Sequence, residues 1–263
     1  MITRAFATRY DRRAEAGRNN PLRVTVETPD GEEHEVFLKA SGAPELSVAG
    51  LAAETLAACI AGRLGLPVCR PFLVEISAAW IATVEDVAAR EMLSRSNGVA
   101  FGSTAAGKDW RPWSSDDGVT AARRQAALEI LAFDAFIENP DRKPSNPNLL
   151  VKGDDFRIID HELSLRVMGI FPRPEPWRVG YLNLLARADG HVFHGRIKAT
   201  DVDLPAVRAA WLTLSDDCLS DYEASLPMEW NEAAGMVQAA LSHVRTVRDR
   251  IDDCLTEIGR ILG

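Results

Sequence analysis

The segment 139–162 constrains the fold of this chain more than any other part of its sequence. It opens with a polar loop, Asn-Pro-Asp-Arg-Lys-Pro-Ser-Asn, that carries Asp141 and Asn146. Two short apolar runs, Leu-Leu-Val and Phe-Arg-Ile-Ile, flank the turn sequence Lys-Gly-Asp-Asp, and Asp160 comes directly after the second run. This pattern predicts a β-hairpin. Because a short hairpin brings its outer ends together, we expect Asn146 and Asp160 to face each other.

Such a pair of oxygen ligands would suit a hard cation. Mg²⁺ takes one or two protein oxygens and completes its shell with water and phosphate oxygens. Asp141 lies one loop away, where it could orient a hydroxyl group for attack. A positioning aspartate, an asparagine on the metal and a second aspartate on the metal are the parts used in phosphoryl transfer. An ordinary Asx-rich surface turn is the alternative, and the apolar hairpin with its Ile-Ile-Asp ending favours phosphoryl transfer over it.

The loop Asp-Arg-Lys-Pro-Ser-Asn, with Lys143 two residues after the aspartate, resembles the catalytic loop of protein kinases. The longer run Asn-Pro-Asp-Arg…Asn-Pro-Asn-Leu-Leu-Val…Ile-Asp-His is more similar to the HipA-like kinases, atypical kinases grouped with the phosphatidylinositol kinases. The similarity extends from the N-terminus to Trp230. It implies an α+β, two-lobe protein-kinase-like fold, with a small β-rich N-terminal lobe (residues 1–104) and a larger, mostly helical C-terminal lobe (residues 105–263).

The polar loop 15–21 precedes two predicted strands. A Pro-Asp-Gly turn joins these strands, and the second strand ends at Lys39. In a kinase this loop would lie over the ATP phosphates, so the resemblance assigns Gly17, Asn19 and Asn20 to nucleotide binding. The loop lacks the Gly-x-Gly-x-x-Gly pattern, and a plain surface loop is an equally good interpretation.

Lys39 is the last residue of an apolar strand. A lysine at such a position either has a functional role or extends its ammonium group to solvent at the edge of the sheet. A helix is predicted from Val48 to Leu64, with Ser47 as its N-cap. One face of this helix carries small residues and a single carboxylate, Glu54. A solvated glutamate and an edge lysine are the alternative. The resemblance favours an ion pair, which in kinases aims the lysine at the α- and β-phosphates.

Further elements are predicted around this site. Residues 66–76 form a strand that prolines push toward a sheet edge, and residues 102–118 form an inter-lobe linker pinned by packed tryptophans. A helix over 120–138 delivers the catalytic loop, and its Asp134 is expected to hold that loop by hydrogen bonds. A long helix over 231–262 carries an apolar stripe, for which docking onto the large lobe is preferred to a dimer seam.

The two residues after Asp160 are His161 and Glu162, where many kinases have Phe-Gly. We interpret His161 as a packing or hydrogen-bonding residue, because Asp141 already supplies the proton-accepting role. Glu162 could itself be a metal ligand.

Composition narrows the function classes. The 263 residues contain no apolar run near the roughly 20 needed to span a bilayer, and the N-terminus lacks the apolar core of a secretory signal. Four scattered cysteines without a Cys-x-x-Cys pair indicate reduced thiols and a cytoplasmic protein. A formal charge of −8 argues against a nucleic-acid-binding surface.

The resemblance implies that ATP and Mg²⁺ bind in a cleft between the lobes. Lys39 would hold the α- and β-phosphates, oriented by Glu54, and Asn146 and Asp160 would hold Mg²⁺.

Asp141 would then accept the proton of the acceptor hydroxyl, and Lys143 would neutralise charge on the transferred group. The acceptor implied by the family is a serine or threonine of a protein, and an antitoxin-like or regulatory protein is a possible partner. Two alternatives remain open. One is a small-molecule phosphotransferase of the aminoglycoside or choline kinase type, which an acidic pocket over the acceptor site would favour. The other is a nucleotide-binding pseudokinase that acts as a partner protein.

Overall fold

The computed structural model describes residues 2–14, 19–168 and 173–263, and these form a mixed α+β structure. The strands are β1 (Thr3–Arg13), β2 (Leu22–Glu27), β3 (Glu33–Lys39), β4 (Pro71–Glu75), β5 (Val99–Thr104), β6 (Arg111–Pro112), β7 (Leu149–Lys152) and β8 (Asp155–Ile158). The α-helices are α1 (Val48–Arg63), α2 (Ala78–Thr83), α3 (Val87–Ser94), α4 (Arg124–Phe136), α5 (His194–Ile197), α6 (Leu204–Trp211), α7 (Asp216–Ser225), α8 (Ala234–Asp249) and α9 (Ile251–Leu262). Two 3₁₀ turns, Tyr181–Leu184 and Met228–Ala233, complete the described elements.

The first five strands close into a barrel in the order β1-β2-β3-β5-β4. Closure occurs because β1 pairs antiparallel with β2 on one side and parallel with β4 on the other. Gly102 of β5 allows the interior to pack, since a Cβ there would lie 2.8 Å from Val74 Cγ2. The expectation that residues 66–76 form an edge strand is wrong. β4 has a neighbour on both sides, and Pro71 fits because it is the first residue of the strand.

Helix α1 confirms the helix predicted from Val48 to Leu64. The Ser47 hydroxyl accepts a hydrogen bond from the backbone N–H of Gly50 at 3.2 Å, which caps the first turn. Gly65 follows the helix with a φ of +78°, a conformation that favours glycine. The helix is buried on nearly all sides, because strands β4 and β5 pack against it on one side and α8 and a 3₁₀ turn on another.

Strands β7 and β8 form the predicted hairpin, and β6 adds a third strand to this small sheet. The predicted linker 102–118 therefore contains sheet structure. Trp113 from this linker is buried and packs against Phe156 and Phe193, as expected of a residue that anchors a connection. The backbone N–H of Ile158 donates to the Pro67 carbonyl at 2.9 Å, which ties the hairpin to the chain that enters the barrel.

The single long helix expected over 231–262 is wrong, because the chain breaks at Arg250 (φ −111°, ψ 26°) into α8 and α9. The break has a packing reason. Helix α8 lies against α1 and α7, whereas α9 lies against α4, α6 and the turn Tyr181–Leu184. One straight helix could not reach both sets of neighbours. The apolar residues of α8 and α9 are buried within the chain, which is consistent with docking of this segment and not with a dimer seam.

The buried apolar residues form one continuous cluster that runs from the barrel interior through α1 to α4, α8 and α9. In the described ranges, no helix combines the length and the apolar character needed to cross a membrane.

Candidate active site

Lys39 lies at the centre of a cluster of carboxylates. Val36 and Leu38 of β3 are fully buried, so the alternation of the strand turns Lys39 toward the opposite face. Its Nζ atom lies 2.8 Å from Glu54 Oε2 and 2.6 Å from Asp160 Oδ1. Burial works to lower the pKa of Lys39, but the nearby carboxylates outweigh burial and raise this pKa above its ordinary value. The ammonium group is therefore held charged.

Glu54 is the most buried of these carboxylates. Its side chain projects from α1, and burial by itself would raise its pKa. The Lys39 ammonium and His161 reverse this effect and lower the pKa to about 2. The backbone N–H of His161 donates to Glu54 Oε2 at 2.9 Å, so Glu54 joins the barrel lysine to the residue that follows Asp160. The ion pair between Lys39 and Glu54 that the sequence suggested is present.

Asp160 and Glu162 follow the hairpin directly. Asp160 has a φ of +63°, which is costly for a residue other than glycine and turns the chain sharply at this point. Glu162 Oε2 lies 3.0 Å from Lys39 Nζ. Burial raises the pKa of Glu162, and the neighbouring carboxylates of Asp160 and Glu54 raise it further. The Lys39 ammonium group lowers this pKa but does not outweigh them. Glu162 is thus a direct contact of the lysine.

The loop before β2 reaches the cluster through Asn19. This buried side chain donates to Glu162 Oε1, and its own Oδ1 accepts from the backbone N–H of Glu45 at 3.2 Å. Asn20 is exposed and has a φ of +47°. Gly17, the third loop residue assigned to nucleotide binding, lies outside the described residues.

Glu54, Asp160 and Glu162 could together hold a metal ion. One oxygen from each lies within 4.8 Å of the others. The residues fit a divalent cation, because among the described residues these three carboxylates share one ammonium group, that of Lys39, and carboxylate oxygens are the ligands that Mg²⁺ prefers. A bound cation would share these oxygens with Lys39.

The loop after α4 holds Asp141 beside two asparagines. Asp141 Oδ2 accepts from Asn146 Nδ2 at 2.7 Å and from Asn148 Nδ2 at 3.1 Å. Asn146 is thus oriented by Asp141, and its approach to Asp160 through a shared cation stays a prediction. Lys143 is exposed, and in the described part of the chain its side chain makes no ion pair. Its backbone closes the turn 143–146 instead.

Asp134 supports this loop from beneath, as we expected. Its carboxylate accepts from Arg142 Nε at 2.5 Å, from Asn139 Nδ2 at 2.7 Å and is 3.0 Å from His191 Nε2. Burial tends to raise the pKa of Asp134, but the charges of Arg142 and the hydrogen bond from His191 hold it well below its ordinary value. The buried ion pair thus anchors the loop that carries Asp141.

Comparison with known proteins decides the family. A sequence profile described as HipA-like kinase matches residues 11–173, more than half of the 263 residues. This chain belongs to the HipA-like kinase family. The matched range contains Lys39, its carboxylate partners and the loop that carries Asp141, whereas His191 lies beyond it; family membership supports kinase activity in general.

Other comparisons add less. The curated proteins gave no significant match. Among solved structures, the crystal structure of a proinflammatory kinase, CtkA, of Helicobacter pylori is similar at 10% sequence identity with a TM-score of 0.49, over 95% of this chain and 97% of that one. That superposition is too weak to support an argument, so the assignment rests on the family profile.

The sequence analysis missed some residues of this HipA-like kinase site. Arg142 is fully buried and donates to Asp134 and to the Asn148 carbonyl, although a loop arginine between two polar residues gave no sign of burial. His191 is about fifty positions away in sequence and carried no local signal. Asn148 did carry a local signal, since it lies two residues after Asn146 in the run Asn-Pro-Asn.

Proposed function

We propose that this HipA-like kinase uses ATP and Mg²⁺ to phosphorylate a hydroxyl group, and that the acceptor is a serine or threonine of a protein. The observation that carries the proposal is the convergence on Lys39 Nζ of Glu54, Asp160 and Glu162, within 2.6 to 3.0 Å. The Lys39 ammonium group is one positive charge, and a cation held by the carboxylates would be a second. A triphosphate chain is bound by positive charges of these two kinds.

In the proposed reaction, Lys39 contacts the α- and β-phosphates and Glu54 keeps its ammonium aimed at them. Asp160 and Asn146 hold Mg²⁺, which when bound neutralises charge on the β- and γ-phosphates. Asn19 and Asn20 belong to a loop that covers the phosphates, together with Gly17. The protein side chains thus supply position and charge, which are the main requirements of phosphoryl transfer.

Asp141 acts at the other end of the transferred group. Asn146 and Asn148 orient its Oδ2 atom, so the second oxygen is the one proposed to accept the hydroxyl proton of the acceptor. Lys143, exposed beside it, is proposed to neutralise charge on the phosphoryl group.

The proposed architecture has two lobes, residues 1–104 and 105–263, with the nucleotide in the cleft between them. In its favour, Lys39 and Glu54 come from the barrel and α1, whereas Asp160 and Glu162 follow the hairpin. A cytoplasmic location and an antitoxin-like or regulatory partner belong to the same proposal. The four cysteines are free thiols, which suits a reducing compartment.

One observation favours a second candidate function. Glu162 forms an ion pair with Lys39 and accepts a hydrogen bond from Asn19. The nucleotide phosphates would therefore have to compete with this glutamate for both side chains. A pseudokinase that binds a partner without turning over ATP would tolerate this arrangement.

ATP turnover by the purified protein, measured with Mg²⁺ and with EDTA, separates the two functions. A kinase should release ADP or phosphorylate an acceptor only with Mg²⁺, and Asp160→Asn should abolish the signal. A folded wild-type protein with no Mg²⁺-dependent turnover on any added protein lysate would support the pseudokinase. Radiolabelled ATP added to that lysate would also identify a protein acceptor.

A further inference from the structure

A cavity of about 460 Å³ lies behind the catalytic loop, at a distance from the Lys39 cluster. It is lined by the end of α4, by Pro140 and Lys143 of the loop, and by residues of the segment 181–191. Gly190 lets this segment fold back tightly, since a Cβ there would lie 2.4 Å from the Leu185 carbonyl oxygen. We call this cavity the Glu138 pocket, after one of the acidic residues in its wall.

Glu138 occupies a backbone position that rarely takes its residue type. It is the second residue after α4 and has a φ of +55°. The backbone N–H of Asn139 closes the helix end on the Asp134 carbonyl at 2.9 Å, a geometry in which the left-handed position is usually glycine. A side chain with a Cβ is disfavoured in that conformation. Nothing in the helix end itself requires a glutamate.

The carboxyl group of Glu138 is incompletely satisfied. Its Oε2 atom accepts a hydrogen bond from the Tyr181 hydroxyl at 2.8 Å. Its Oε1 atom is shielded from solvent and, among the described residues, has no hydrogen-bond partner. An unpaired buried acceptor is costly and calls for an explanation.

No basic side chain of the described ranges forms an ion pair with Glu138, although Lys143 and Arg187 also line the pocket. Asp134, in the same wall, differs because Arg142 and His191 compensate it. Burial raises the pKa of Glu138 to about 7, against the lowering effect of the Tyr181 hydrogen bond. The pocket therefore holds one carboxyl group that forms no ion pair within the described part of the chain and has one oxygen without a hydrogen-bond partner there.

We propose that the Glu138 pocket binds an amino or guanidino group of the phosphate acceptor. Such a group would donate to Glu138 Oε1 and balance its charge, while its aliphatic stem would lie along Tyr181, Leu182 and Leu185. Pro140 and Lys143 line the pocket, so it adjoins the loop that carries Asp141, the proposed proton acceptor. The inference rests on the proposed function, because it names the chemistry of the acceptor for that reaction.

The cation could come from a basic side chain beside the phosphorylated residue or from a small amino alcohol. The test uses both sources and needs no ATP. Fluorescein-labelled serine peptides that contain either arginine or citrulline next to the serine are titrated with the protein and followed by anisotropy. Ethanolamine and kanamycin serve as competitors. Citrulline keeps the shape of arginine and removes its charge.

The variants are Glu138→Gln, Glu138→Gly and the matched control Glu232→Gln, whose glutamate is exposed on a distant 3₁₀ turn. We expect wild type and the control to bind the arginine peptide about tenfold or more tightly than the citrulline peptide, as a hydrogen-bonded charge pair implies. In both Glu138 variants this ratio should fall close to one. At pH 8 both variants should also have a higher free energy of unfolding in urea than wild type. If Glu138 were purely structural, both variants would have a lower free energy of unfolding.

Equal affinity for the two peptides in wild type, together with no competition by either amine that depends on Glu138, would overturn the proposal. Competition by the amines alone, lost in both Glu138 variants, would support the pocket and assign its cation to a small molecule. If the arginine peptides bind with the expected dependence but receive no phosphate in the presence of Mg·ATP, the pocket stands and the proposed protein-kinase function fails.

Discussion

Replacing Lys39 by methionine should convert the carboxylate cluster into a site that depends on divalent cations for stability. The variant keeps an unbranched side chain that is one heavy atom shorter, and it removes the charge. It leaves Glu54, Asp160 and Glu162 facing one another without an ammonium group, with their oxygens within 4.8 Å. Glu54 is the side chain with least access to water, at 4% exposed, so it bears most of the cost.

The size of the effect follows from burial. Removing one partner of a buried ion pair costs about 3–5 kcal/mol. Lys39 and Glu162 are each 13% exposed, which places their contacts near that regime, whereas Asp160 is 38% exposed and should add about 1 kcal/mol or less. We therefore expect Lys39→Met to lower the free energy of unfolding by about 3–5 kcal/mol in EDTA.

Mg²⁺ should restore part of this loss, because the three carboxylates are then free to bind it. A cation at a hundred times its Kd stabilises the folded state by about 2.7 kcal/mol. The assay is urea unfolding followed by tryptophan fluorescence, in EDTA and in increasing Mg²⁺. Lys152→Met is the matched control, since its pair with Asp109 is exposed and should be worth about 1 kcal/mol or less.

Two results would refute this reasoning. One is a Lys39→Met variant as stable in EDTA as the Lys152→Met control, which would mean that Lys39 does not compensate the carboxylates. The other is a destabilised variant whose unfolding curve does not respond to Mg²⁺, which would mean that the three carboxylates cannot share a cation.

Four further predictions test the remaining parts of the site. Asp160→Asn should abolish turnover and weaken Mg²⁺-dependent ATP binding in calorimetry; unchanged affinity and turnover would remove Asp160 from the metal site. Asp141→Ala should still bind ATP while turnover falls by roughly 10²–10⁴-fold, and a folded variant unable to bind ATP would move Asp141 into the nucleotide site. Arg142→Met should cost about 3–5 kcal/mol in urea unfolding, against about 1 kcal/mol or less for the exposed Arg208→Met; equal costs would contradict the buried anchor. Because burial raises the pKa of Glu138 from 4.5 to about 7, the folded protein keeps a proton that the unfolded chain has released, so stability should fall as pH rises through that window. Glu138→Gln should flatten this part of the pH profile by on the order of 3 kcal/mol, and an unchanged profile would show that Glu138 titrates normally.

The elements that could be predicted are those whose signals are local. The hairpin of β7 and β8 follows from two apolar runs around a polar turn, and α1 from Ser47, Gly65 and the residues between them. The interactions that define both lie within a few residues along the chain. Likewise, Asp134 could be expected to hold the catalytic loop, because it lies a few positions before that loop on the helix that leads to it.

The failures concern contacts between distant segments. The prolines near β4 predicted an edge strand, because proline cannot donate a backbone hydrogen bond. In the closed barrel, however, β4 is paired on both sides. The apolar stripe of residues 231–262 was periodic enough for one helix, and the break at Arg250 arises because the two halves pack against different partners. Arg142 was not recognised as buried, because His161, which follows the hairpin, approaches it only after folding.

The sequence by itself determined the residue types of the candidate site, the local elements that carry them and the family to which the chain belongs. The family resemblance led us to expect the Lys39–Glu54 pair, and only the tertiary structure decided which other charges meet it. Lys39 contacts Glu54, Asp160 and Glu162 across separations of 15, 121 and 123 residues, and Glu162 and Asn19 join the cluster through contacts that no local pattern encodes. The physical reason is that hydrogen bonds and turns set local structure over a few residues. The burial of a charge, and therefore its pKa and its partners, depends on how the barrel, α1 and the hairpin pack together.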